Sequence, residues 1–160
     1  MFLTIATFLP IGMFMLQTAN NSTNKTVATM ATPVSSRTII VDAGHGGEDG
    51  GAVSNNGVCE AEINLKIALK LQQLLEQSGS NVVLTRSDNN AIYDVDKKTI
   101  REKKNSDIRN RVKIGNNSLA DIFVSIHLNK IPENQYSGWQ TFFKDGNEEG
   151  KRLAMCIQNS

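Results

Sequence analysis

From Thr38 onwards the chain alternates short, β-branched apolar runs with longer stretches whose apolar residues recur every three or four positions. Residues 38–42 (Thr-Ile-Ile-Val-Asp) form a continuous run of the kind buried on both faces of a parallel sheet. Residues 60–77 place Ile63, Ile67, Leu71, Leu74 and Leu75 at helical spacing, which predicts a helix with that stripe inward and Ser78-Gly79 as its stop. Residues 81–85 read as a second strand. Residues 87–107 are polar and charged and read as an exposed insertion or lid. Asp107 then caps a second helix, with Ile108, Val112 and Leu119 inward and an end before Ala120. Residues 122–126 give a third strand, residues 138–143 a fourth, and residues 148–158 a last helix with Leu153, Ala154 and Ile157 on one face. Strands separated by helices predict an α/β fold, a mostly parallel twisted sheet with helices on both faces.

The first 36 residues break this alternation. Residues 1–16 are almost wholly apolar and uncharged, interrupted by Pro10 and Gly12, and are shorter than the roughly 20 residues that span a bilayer. They read as a signal peptide or a short membrane anchor. Residues 17–36 are rich in Asn, Thr and Ser and read as a flexible linker. Residues 37–160 then read as one folded domain, held outside the cytoplasm. An exported domain permits a disulfide, but Cys59 and Cys156 alone make no framework and read as two small apolar thiols. No zinc-ribbon cysteine spacing exists. A net charge of +1 and 6% aromatic residues give no electrostatic or stacking case for a nucleic-acid partner.

The candidate chemistry lies at two strand ends. The chain has only two histidines, His45 and His127, and each follows a predicted parallel strand. Both imidazoles then emerge at one carboxyl edge, where ligands collect in open α/β sheets. Either histidine taken singly reads more readily as an ordinary loop residue than as a ligand. Together they fit a catalytic zinc site, which takes three protein ligands and leaves a position open. The third ligand would be a carboxylate, with Glu48, Asp49, Glu60 and Glu62 near in sequence and Glu60 placed where its helix returns to the strand edge. The glycine-rich loop 43–57 lets the backbone fold closely around such a site. It lacks the spacing of either common phosphate-binding loop, so a nucleotide cofactor is discounted.

Longer stretches carry a resemblance. Ile39-Ile-Val-Asp-Ala-Gly-His-Gly-Gly-Glu-Asp-Gly-Gly-Ala52 resembles the opening motif of the family 3 N-acetylmuramoyl-L-alanine amidases. The likeness continues through Glu60-Ala-Glu-Ile-Asn-Leu, Val83-Leu-Thr-Arg86, Ile108-Arg-Asn-Arg111 and Ala120 to Asn129. Gly138-Trp-Gln-Thr-Phe-Phe and Lys151-Arg-Leu-Ala are similar to the germination-specific, spore-cortex branch. The resemblance implies zinc-dependent cleavage of the amide between muramic acid and L-alanine in peptidoglycan. It implies His45, Glu60 and His127 as metal ligands, the Glu-x-x-x-Asn-Leu pattern selecting Glu60, and Asn129 as a substrate-binding residue. Arg86 and Arg109 would brace loops, meet peptide carboxylates, or lie on the surface. The family's general base is a glutamate on a later strand, expected beyond Ser160, so residues 37–160 are expected to be an incomplete domain that binds zinc and hydrolyses poorly. A non-catalytic wall-binding module and an exported zinc hydrolase of another peptidoglycan amide are the alternatives. Membrane attachment through residues 1–16 and an activating protein partner are left open.

Overall fold

The computed structural model describes residues 34–128 and 138–160. The apolar N-terminal segment, most of the expected linker and Asn129 lie outside the described residues. In chain order the elements are β1 (Thr38–Ala43), α1 (Glu60–Gln77), β2 (Asn81–Leu84), α2 (Ile100–Asn117), β3 (Ile122–Ile126) and α3 (Glu148–Gln158). The three strands form one parallel sheet in the order β2-β1-β3. The chain moves from β1 to β2 through α1, then crosses back over β1 through α2 to reach β3. Right-handed crossovers in opposite directions put α1 and α2 on opposite faces. They also open a crevice at the carboxyl ends of β1 and β3, where the winding reverses.

Side-chain alternation along β1 confirms the two faces. Ile39, Val41 and Ala43 pack with Leu65 and Ala68 of α1, joined by Leu71, Leu75, Val82, Leu84, Ile122 and Ile126. The intervening Ile40 and Asp42 face α2, where Arg111 pairs with Asp42 at 2.7 Å. Both faces are covered, so β1 tolerates no polar residue except the paired Asp42, and its apolar run is unbroken. Each buried aliphatic side chain there contributes about 1.5–3 kcal/mol. In β3, by contrast, burial alternates, and Phe123 is 47% exposed.

Three expectations need correcting. The buried stripe of α1 is Glu60, Ala61, Asn64, Leu65 and Ala68, while Ile67 and Leu74 are exposed on its flank. Glu60, Asn64 and Ala68 are spaced four apart, so the helix is rotated to bury two polar residues in place of Ile67 and Leu74. The demands of the strand edge override the apolar pattern. Next, α2 begins at Ile100 and not at Asp107: Thr99 accepts from the backbone of Glu102, whose side chain accepts from Thr99 in return. Asp107 is buried inside the helix, whereas Ile108 and Val112 are half-exposed along an open cleft of about 520 Å³ shared with Ile40 and Phe123. Leu119 lies past the helix end and is exposed. Finally, residues 138–143 form no strand. Thr141 donates to the Gln158 side chain and the Ala154 carbonyl of α3, and the Trp139 carbonyl accepts from Gln158, so that α3 replaces a neighbouring strand as their partner.

Val34 to Ser36 turn against the end of α1, with Ser36 N–H donating to the Gly79 carbonyl at 2.8 Å. Cys59 and Cys156 are both free thiols. Among the described residues no helix is long and apolar enough to cross a membrane.

Candidate metal centre

The loop after β1 is built to bring its histidine back over the start of α1. His45 has φ +63°, a left-handed conformation rare for a residue with a Cβ. Its carbonyl is held by Arg111, whose Nη2 donates at 2.8 Å. Beyond it, the carbonyls of Ala52 and Gly50 accept from the N–H groups of Glu60 and Ala61, satisfying donors that the first turn of a helix leaves unpaired. Two glycines are required for lack of room. A Cβ on Gly51 would lie 2.7 Å from both Glu60 Oε2 and His45 Cδ2, and one on Gly44 would fall inside the His127 ring.

The result is a convergence on one carboxylate oxygen. Glu60 Oε1 lies 3.3 Å from His45 Nε2 and 3.1 Å from His127 Nδ1. One donor atom from each of the three residues falls within 4.8 Å of the others. A tetrahedral ion with bonds of about 2.0–2.1 Å puts its ligand atoms roughly 3.4 Å apart, so the two short edges fit such an ion. The donor set, two imidazoles and one carboxylate, suits zinc among the common divalent metals.

Glu60 is held in place from several sides. Leu128 N–H donates to Oε1 at 2.8 Å and Ala52 N–H to Oε2 at 2.9 Å. Asn64, fully buried one turn along α1, donates to Oε1 at 3.3 Å and to the Gly44 carbonyl at 3.2 Å. Burial pushes the Glu60 carboxyl up, but the backbone donors of Ala52 and Leu128 and the Asn64 amide outweigh it and hold it below the ordinary range. It is therefore an anion at neutral pH, as a metal ligand must be. His127 is the accessible member of the group, its side chain 46% exposed against 17% for His45 and 5% for Glu60.

A second layer of buried arginines stands behind these groups. Arg86 donates to the carbonyls of Ala43 (2.8 Å), Gly44 (3.1 Å) and Ala61 (2.8 Å), and so braces the loop. Arg111 donates to Ala43 O as well as His45 O, and its Nε meets Asp107 at 2.6 Å. Arg109 is exposed; of the two neighbouring arginines, Arg111 faces the site. Sequence reasoning passed over Arg111, Asn64 and the role of Asp49. Only for Asn64 did a signal exist, its spacing of four from Glu60.

Comparison with known proteins accords with this geometry. Residues 39–160 match the sequence family described as N-acetylmuramoyl-L-alanine amidase. The germination-specific N-acetylmuramoyl-L-alanine amidase of Bacillus subtilis is 35% identical over 147 residues, covering 92% of this chain and 60% of that protein. The N-acetylmuramoyl-L-alanine amidase LytC of the same organism is 35% identical over 128 residues, 79% of this chain and 23% of LytC. Among solved structures, the CwlD amidase of Clostridioides difficile, in complex with the GerS lipoprotein, is similar with a TM-score of 0.74 and 46% identity. That match covers 77% of this chain and 64% of the CwlD chain. This chain thus spans about three-fifths of the length of the first of these relatives.

Proposed function

Since the chain belongs to the N-acetylmuramoyl-L-alanine amidase family, we propose that it hydrolyses the amide between N-acetylmuramic acid and L-alanine in peptidoglycan, using zinc held by His45, Glu60 and His127. The observation that carries this reading is the convergence of both histidines on Glu60 Oε1 at the winding reversal of the sheet. When bound, the ion supplies Lewis acidity, acidifying a water and polarising the scissile carbonyl. The protein's own part is positional. Glu60 is locked by two backbone donors and Asn64, and the exposed His127 faces the side from which a polymeric substrate can approach.

Hydrolysis also needs a base to take the water's proton and pass it to the leaving amine. Glu60 is committed to its donors and Asp49 to His45 and Lys104. In this reading the base is therefore another carboxylate, the later glutamate that the family resemblance implies. Asn129 is assigned to substrate binding. The germination-specific relative supports spore cortex as the substrate. An extracytoplasmic site of action, with the apolar residues 1–16 as leader or anchor, belongs to the same reading. The CwlD complex with GerS supports a lipoprotein partner for this chain as well.

The test is muropeptide analysis of cortex peptidoglycan treated with zinc-loaded full-length protein. Glycan strands stripped of stem peptides, and peptides with a free N-terminal alanine, are expected. Intact muropeptides would sink the reading. His45→Ala and His127→Ala should each lose most of the bound zinc measured by elemental analysis; undiminished zinc would remove these residues from the site.

A further inference from the structure

His45 offers one ring nitrogen to the metal centre and the other to a carboxylate that the proposed chemistry does not use. Asp49 Oδ2 lies 3.0 Å from His45 Nδ1, and His45 Nε2 lies on the Glu60 side, 3.3 Å from Oε1. Asp49 is fixed at this spot by a pair of backbone hydrogen bonds with Gly46, at 2.9 and 3.1 Å. Lys104, from the first turns of α2, donates to the same Oδ2 at 3.2 Å. The backbone of His45 is meanwhile fixed by Arg111. Peptide and ring are thus held by different residues from different parts of the chain.

A neutral imidazole has one N–H and one lone pair, and the stronger acceptor decides which nitrogen keeps the proton. An ionised carboxylate accepts only. With an ion at Nε2, the atom on the Glu60 side, the ring's lone pair is taken there and the proton stays on Nδ1, where Asp49 accepts it. Carboxylates placed this way behind metal-bound histidines fix tautomer and ring direction, and their loss typically costs roughly 10–100-fold in metal affinity. From this geometry we infer that Asp49 is a positioning residue. It holds His45 in the Nδ1–H tautomer with Nε2 presented to the metal, and Lys104 compensates its charge. The inference rests on the reading of His45, Glu60 and His127 as a zinc site and deepens it.

Zinc affinity, by competition with a chromophoric chelator at neutral pH, tests it together with long-range proton–nitrogen NMR correlations of the zinc-loaded protein, which report the tautomer. In the zinc-loaded wild type, His45 should carry its proton on Nδ1; a proton on Nε2 overturns the inference without need of any variant. Asp49→Ala should lose zinc affinity by roughly 10–100-fold. Asp49→Asn, which keeps an acceptor and loses the charge, should retain the tautomer and lose less affinity. Asp49→Ala binding zinc within threefold of the wild type, with His45→Ala deficient, overturns this inference alone. A wild type with no zinc affinity overturns the metal-site reading, and this inference with it.

Discussion

Gly44 and Gly57 are both loop glycines, yet they answer to different constraints. A Cβ on Gly44 has nowhere to go except into the imidazole of His127, whereas one on Gly57 meets nothing within 4 Å. Gly57 is special only in its φ of +79°, a conformation that costs an alanine about 1–2 kcal/mol. Gly44→Ala should therefore displace His127 and, on the proposed His45–Glu60–His127 zinc site, lower zinc affinity on the order of tenfold or more. Gly57→Ala should lower stability by about 1 kcal/mol and leave zinc affinity unchanged. Isothermal titration with zinc beside chemical denaturation separates the two; equal zinc affinities would show that His127 is not packed against Gly44. At this scale the site was legible as far as residue type and strand position reached, which was His45, Glu60 and His127. Loop bracing by Arg86 was among the sequence expectations and is what its hydrogen bonds to Ala43, Gly44 and Ala61 do. The roles of Asp49 and Arg111 were not legible, because what each does is set by the group it meets. Arg111 reaches Asp42 across 69 residues of chain, a distance that no local pattern encodes.

Between elements, the sheet and α2 are joined as much by charge as by apolar packing. Arg111 pairs with Asp42 of β1 at 2.7 Å and with Asp107 on its own helix at 2.6 Å, and all three side chains are nearly inaccessible. Around them, Ile108 and Val112 are half-exposed, so little apolar area ties α2 to this face. Arg111→Ala would leave two buried carboxylates without their cation, a change that costs about 3–5 kcal/mol. Arg111→Lys should recover only part of that, because an ammonium cannot fork between Asp42, Ala43 and His45 as the guanidinium does. Urea unfolding of both variants checks this; a loss under about 1 kcal/mol for the alanine variant would mean the pair is solvated, as surface pairs are. The helix periodicity predicted a helix between β2 and β3 but began it about two turns late, at Asp107 instead of Ile100, and it assumed that apolar residues choose the inward face. In α2 an ion network chooses it, and in α1 Glu60 and Asn64 do. The stretch 138–143 has strand-like composition, but a strand exists only where a neighbour takes its hydrogen bonds, and here α3 takes them.

For the molecule as a whole, the same buried carboxylate makes stability depend on pH in one direction. Burial pushes the Asp42 carboxyl up, but hydrogen bonds from Ser125 and Thr85 and the Arg111 guanidinium outweigh it, and its folded pKa lies below the ordinary value. In the unfolded chain Asp42 titrates near its ordinary value of about 3.9. Between the two values the unfolded state binds a proton that the folded state does not, so stability falls as pH falls. Its contribution is fully present above about 4 and is lost as pH drops through the folded pKa. Asp49 and Glu60 are lowered as well and act with the same sign, so the protein should be acid-labile and gain nothing from these groups between neutral pH and about 5. Asp42→Asn removes one contributor. The variant is less stable at neutral pH, because Arg111 loses a charged partner, but its unfolding free energy should decline less steeply below about pH 4 than that of the wild type. Chemical denaturation repeated across that range measures the slope directly. Parallel slopes would mean that the Asp42 carboxyl titrates alike in the folded and unfolded states, so that its hydrogen bonds and Arg111 do no more than offset its burial.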